Sequence, residues 1–171
     1  RLKSAGQRPI SAVVDLTNYV MLDLGRPAHA YDIAKLNGAL IARAARDGEK
    51  VLALNEKEYV LDPSMTVIAD ERQVHDIGGI MGGEDSGVTE DTTDVMLEIA
   101  YFTPERIART GQKLALTSDA RTRFERGVDP AFLGNGLDIL TGLILDICGG
   151  EPSDAIHVGT PPIEGRTARF N

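Results

Sequence analysis

The chain has 171 residues, 42% hydrophobic and 26% charged, the composition of a folded globular unit and not of a disordered chain. Eighteen Lys and Arg against 26 Asp and Glu leave a net charge of -8, which excludes the global basic footprint of a general nucleic-acid binder; any RNA contact must be local. The single cysteine, Cys148, excludes an internal disulfide and a cysteine-based metal cluster, and a reducing, cytoplasmic setting is expected.

In chain order, Ile10, Val13, Val14, Val20, Met21 and Leu24 recur at helical spacing, and Gly25 followed by Arg26-Pro27 supplies a stop. Between Leu40 and Asp70, the runs LIARAA, VLALN, YVL and TVIAD alternate with DGEK, NEKE and DPSM, which predicts successive antiparallel strands joined by turns. The segment VHDIGGIMGG carries four glycines and reads as a strand that bulges or lets its backbone approach a ligand. DVMLEIAYF, from Asp94 to Phe102, reads as a further strand with Glu98 as its one interior charge. Thr103-Pro104-Glu105 opens a helix, Ser118-Asp119 a second, and Asp129-Pro130 a long apolar one that ends at Gly149-Gly150. One helix, then strands, then helices predicts an α+β fold: a sheet-rich, sandwich-like, largely antiparallel core flanked by helices. The whole of 1–171 is expected to be one module. Its start at Arg1 and its end at Arg169, Phe170 and Asn171 suggest a piece of a longer protein. No run of eighteen uninterrupted apolar residues is present, so no membrane partner is expected.

The chemistry-bearing candidates are few. GGIMGGEDSG lacks the Gly-Lys-Ser/Thr ending of a phosphate loop; it is either a bulged strand and turn or a pocket wall whose amides face a ligand. His29, in the stiff loop RPAHAYD, would by itself more often be a solvated loop residue than a functional one. Thr17 and Asn18 are mediocre helix formers, serving either as polar handles for a ligand or as an ordinary solvent-facing pair. Glu98, buried and unpaired, would cost several kcal/mol, so it must face water, pair with a cation, or await a ligand donor. Arg106, Arg109, Lys113, Arg121, Arg123 and Arg126 concentrate positive charge that could track an RNA backbone, or could serve local acids such as Glu105 and Glu125. His75, His157 and Cys148 show no metal-ligand spacing, and no metal site is assigned.

Three segments together, VVDLTNYVMLDLGRPAHAYD, GGIMGGEDSGV and TSDARTRFERGVDP, with VMLEIAYFTPERI between the second and third, resemble the B3/B4 module of the phenylalanyl-tRNA synthetase β subunit across nearly the whole chain. The resemblance implies an editing pocket that hydrolyses mischarged tyrosyl-tRNA(Phe). It implies that Glu98 accepts the phenolic hydrogen bond while backbone near Gly79 supplies a second contact. Gly79, Gly82 and Ala120 would leave room for the ring beside Phe124, and His29, Thr17 and Asn18 would orient the ester and the hydrolytic water. It further implies an α2β2 parent that uses ATP and Mg2+ outside this segment, with no cofactor inside it, and the aminoacylated 3′ end of tRNA(Phe) as partner. Ala28, Tyr31 and Phe124 depart from the family pattern, in which methionine, phenylalanine and tyrosine respectively are expected. A module that binds an amino acid without hydrolysis, and a structural spacer, are the competing readings.

Overall fold

The computed structural model describes residues 1–163; Arg169, Phe170 and Asn171 lie outside them. Helix α1 (Ala12–Leu24) starts where the Ser11 hydroxyl accepts from the Val14 amide and stops at Gly25. Strand β1 (His29–Asp32) pairs antiparallel with β8 (Val95–Glu98), and His29 lies directly opposite Glu98. A second sheet has the order β2-β5-β6-β7, from Ile41–Ala44, Thr66–Ala69, Val74–Ile77 and Met81–Gly82. The hairpin β3 (Lys50–Leu52) and β4 (Glu58–Val60) stands beside it. Every pairing among the described strands is antiparallel, and the architecture is α+β, as the element order predicts.

Helices α2 (Pro104–Lys113), α3 (Asp119–Phe124) and α4 (Leu133–Cys148) follow the strands. The main core joins the sheets to α2 and α3 through Tyr31, Met65, Val67, Ile77, Phe102, Ile107 and Phe124. A smaller core packs α1 on α4 through Leu16, Val20, Leu140 and Ile144. Together with the turn before it, α4 forms a segment, Pro130–Cys148, long and apolar enough by length and composition to cross a membrane. Leu140 and Ile144 on that segment are buried against α1, whereas most of the segment, Ile139 and Ile147 included, is not buried.

Two predicted strands differ. The glycine-rich segment does shift register at His75 against β5, but it is a tight hairpin and not one strand: the Ile80 amide donates to the Ile77 carbonyl, and Gly79, at φ 71°, sits where a side chain is disfavoured. The strand expected over 94–102 stops at Glu98, after which the backbone leaves β1 and runs to the α2 cap. The basic cluster is largely spoken for. Arg106 donates to the Pro63 and Met65 carbonyls, Lys113 pairs with Asp62, Arg121 with Glu125, and Arg123 with Asp119. Arg109 and Arg126 are exposed. Arg121–Glu125 is a local pairing the sequence offered, whereas the acceptors of Arg106 are backbone carbonyls of a distant loop, which leave no mark in the pattern.

Candidate active site

A cavity of about 80 Å³ opens where the β6–β7 turn, the β1–β8 ribbon and α3 meet. It is small beside the roughly 300–1,000 Å³ of a drug-sized ligand site, and is matched to part of a ligand, such as a ring. Its wall includes His29, Asp76, Gly79, Gly82, Glu98, Phe102, Ala120 and Phe124. The fold brings together six of the residues singled out in the sequence, from four separate stretches of chain. Thr17 and Asn18 do not line it. The Thr17 hydroxyl donates to the Val14 carbonyl at 2.8 Å within α1, and Asn18 is half-buried on the same helix.

Each wall has a local cause. Ser118, the α3 N-cap, accepts from the Arg121 amide at 2.9 Å and donates to the Ile80 carbonyl at 2.6 Å. One hydroxyl thus starts the helix and ties it to the hairpin turn, which sets Ala120 and Phe124 over the cavity. Phe124 meets Phe102 edge to face, with ring centroids 5.0 Å apart, giving an apolar side. A Cβ on Gly79 would come within 2.8 Å of Phe102 and 3.2 Å of Phe124, so glycine there lets the turn close against these rings. A Cβ on Gly82 would meet His29 Cε1 at 2.6 Å. The missing side chain at 82 therefore makes room for the imidazole, and only through it for a ligand.

The polar side is built by β1, β6 and β8. Glu98 faces the cavity, and its Oε2 lies 3.1 Å from the Tyr31 hydroxyl. That hydroxyl also bonds Asp76 Oδ2, while Asp76 Oδ1 accepts the Gly83 amide at 3.1 Å. His29 Nε2 is buried without a hydrogen-bond partner and lies 3.8 Å from Asp76 Oδ1. Burial, followed by the charge of Asp76, pushes the Glu98 carboxyl up to about 7 against the opposing pull of His29 and the Tyr31 hydroxyl. Burial and the two carboxylates together drive the Tyr31 phenol far above its ordinary range, so it stays protonated. Sequence reasoning missed Asp76 and Tyr31 as site residues. The available signal was an acid in the otherwise nonionic stretch DIGGIMGG, one step before the glycine turn. His75, to which no role was assigned, is buried with Nε2 2.8 Å from Asp70 Oδ2. Among the described residues no cluster of three or more His, Cys, Asp or Glu is arranged to hold a metal ion.

Chemically, the cavity offers an aromatic slot with a carboxyl at one end and an unpartnered imidazole nitrogen at its side. Such a carboxyl accepts a hydroxyl from a ring seated in the slot, and such a nitrogen accepts a proton from water.

Comparison with known proteins shows the family. The phenylalanine–tRNA ligase beta subunit of Novosphingobium aromaticivorans is 69% identical over 170 residues, covering 99% of this chain and 21% of that protein. The corresponding subunit of Zymomonas mobilis is 56% identical over 162 residues, covering 95% and 20%. The chain thus spans about a fifth of the length of the curated relatives it matches. Among solved structures, an N-terminal fragment of the phenylalanyl-tRNA synthetase beta subunit from Pyrococcus horikoshii is similar at 16% identity and TM-score 0.45, over 66% of this chain and 40% of that one. The B3/4 domain model matches residues 1–149, from the N-terminal turn through α4 and the whole wall of the cavity, and the chain belongs to the B3/4 domain family.

Proposed function

We propose that this chain is the editing part of a phenylalanine–tRNA ligase beta subunit, and that its cavity hydrolyses the ester of tyrosine mistakenly joined to tRNA(Phe). The observation that carries the reading is Glu98, a carboxyl set at the end of an aromatic slot with no hydrogen bond to its Oε1 among the described residues. A tyrosine ring seated beside Phe102 and Phe124 gives its hydroxyl to that oxygen, whereas a phenylalanine ring leaves it bare. Sites built around a hydroxyl discriminate against the analogue lacking it by roughly 10⁴–10⁵ in favourable cases.

Hydrolysis asks less of the protein than peptide cleavage does, since an ester is already activated. Water adds to the ester carbonyl, the bond to the ribose oxygen breaks, and the ribose hydroxyl recovers a proton. His29 Nε2, buried and unpartnered, is the group placed to hold that water or accept its proton. Thr17 and Asn18 lie on α1, outside the wall of the cavity, and take no direct part in this reading. Ala28, a departure from the methionine of the family pattern, is part of the cavity wall.

The full ligase would pair with an α subunit and use ATP and Mg2+ at a site outside this segment, in the cytoplasm. A module that only binds the amino acid would keep Glu98 but would not need an unpartnered His29; a spacer would fill the cavity. The test is Ala120→Trp in the full-length enzyme, which fills the slot from α3. The expected result is loss of tyrosyl-tRNA(Phe) deacylation with aminoacylation retained, and unchanged deacylation would move the hydrolytic site elsewhere.

A further inference from the structure

The oxygens of Asp76, Tyr31 and Glu98 stand in a row: Asp76 Oδ2, the Tyr31 hydroxyl, and Glu98 Oε2 at 3.1 Å from it. Two oxygen–oxygen contacts need two protons to be attractive, and a phenol carries one. With both carboxyls ionised, one contact would set lone pairs against lone pairs inside a buried site, where Tyr31 is 0% and Asp76 5% exposed. The second proton must sit on a carboxyl. Asp76 already accepts the Gly83 amide on its other oxygen and lies nearer a histidine nitrogen, whereas Glu98 Oε1 has no protein donor. The proton therefore belongs to Glu98.

We propose that Asp76 and Tyr31 are specificity-determining residues: the Glu98 carboxyl donates to the Tyr31 oxygen, the Tyr31 hydroxyl donates to Asp76, and the hydroxyl-selecting end of the cavity is thereby a neutral acid. This deepens the editing reading and takes its functional meaning from it. The ionisable groups that face Glu98 are His29 and Tyr31 from β1 and Asp76 from β6; the wall supplied by β7, α3 and the segment after β8 carries none. A neutral Glu98 presents a carbonyl-type oxygen to the ligand. An unpaired carbonyl costs less than an unpaired buried carboxylate, so a ring without a hydroxyl is rejected less strongly while the proton is present. Discrimination should widen as Glu98 loses it.

The experiment is an infrared pH titration of the full-length protein without RNA, comparing wild type with Glu98→Gln to isolate the Glu98 carboxyl. A protonated-carboxyl band assigned to Glu98 and lost with a midpoint near 7 is expected. Asp76→Asn removes the neighbouring charge and lets the amide donate to the Tyr31 oxygen, so that the phenol turns to Glu98; the midpoint should fall by about 1 pH unit or more. Tyr31→Phe removes the acceptor and should shift the band's frequency. Absence of a protonated Glu98 above pH 5.5, an unmoved midpoint in Asp76→Asn, or an unmoved band in Tyr31→Phe would each overturn the proposal. The readout needs no turnover, so a protonated Glu98 in a protein that does not deacylate tyrosyl-tRNA would sink the editing reading alone.

Discussion

Gly82→Ala displaces the imidazole on which the proposed hydrolysis relies. The added Cβ would lie 2.6 Å from His29 Cε1, 3.2 Å from His29 Nε2 and 3.0 Å from Leu54 Cδ1. Carbon–carbon contact is comfortable at about 3.5–4.0 Å, so the ring must withdraw by roughly 1 Å. Gly82 has no positive φ, and the strain therefore falls on His29 and not on the backbone. A 1 Å misplacement of a positioning group costs about 10²-fold in rate, while local overpacking costs stability by only about 1 kcal/mol. Deacylation of tyrosyl-tRNA(Phe) by the full-length enzyme, with a melting curve alongside, separates the two. The expected outcome is a rate lower by about 10²-fold with Tm lowered by about 2–4 °C. In the His29→Ala background the same substitution meets only the end of Leu54 and should lower the rate no further, a non-additivity that a general folding defect would not produce. A folded Gly82→Ala enzyme with a wild-type rate would refute the reasoning and remove His29 from the mechanism.

Gly83→Ala behaves differently: its Cβ would lie 2.0 Å from the His75 carbonyl oxygen, which cannot swing aside, so the urea midpoint should fall by the equivalent of about 1–3 kcal/mol or more. Arg26 is 2% exposed and donates to the Ala100 and Asp129 carbonyls; Arg26→Met should destabilise by about 2–4 kcal/mol in the same assay by leaving both carbonyls unpaired. The raised carboxyl of Glu98 gives stability a sign with pH. The folded state holds its proton up to about 7, whereas the unfolded chain releases it near the ordinary carboxyl value of 4.5, so stability from this group is greatest below that window and declines as pH rises through it. Urea midpoints between pH 5 and 8 should fall in wild type by the equivalent of about 1–3 kcal/mol, and flatten in Glu98→Gln.

The elements legible in the sequence are those with local causes. Ser11 and Gly25 bracket α1, Ser118 caps α3, and the turn-rich stretch from Ile41 to Ala69 folds as the strands its alternating runs predict. Glu98 stood out because a lone charge in an apolar strand demands a partner, and the fold supplies one in the Tyr31 hydroxyl. The rest depended on what meets across the chain. Asp76 and Tyr31 are 45 residues apart and nothing local pairs them. The glycine hairpin at Gly78-Gly79 carried a two-residue turn signal, but a second glycine pair at Gly82-Gly83 left the place of the reversal ambiguous. For the basic cluster the sequence offered both an RNA track and local acids; Arg121–Glu125 is one of those local pairs, whereas the Pro63, Met65 and Met21 carbonyls reached by Arg106 and Arg123 are far along the chain and leave no mark in composition.

The central claim is that this cavity selects and hydrolyses a tyrosyl ester through Glu98. Its most direct measurement is the deacylation of tyrosyl-tRNA(Phe) and phenylalanyl-tRNA(Phe), side by side, by the full-length enzyme in wild-type and Glu98→Ala forms. The account predicts that wild type strongly prefers the tyrosyl ester and that Glu98→Ala collapses this preference while aminoacylation continues. An undiminished preference in Glu98→Ala would contradict it.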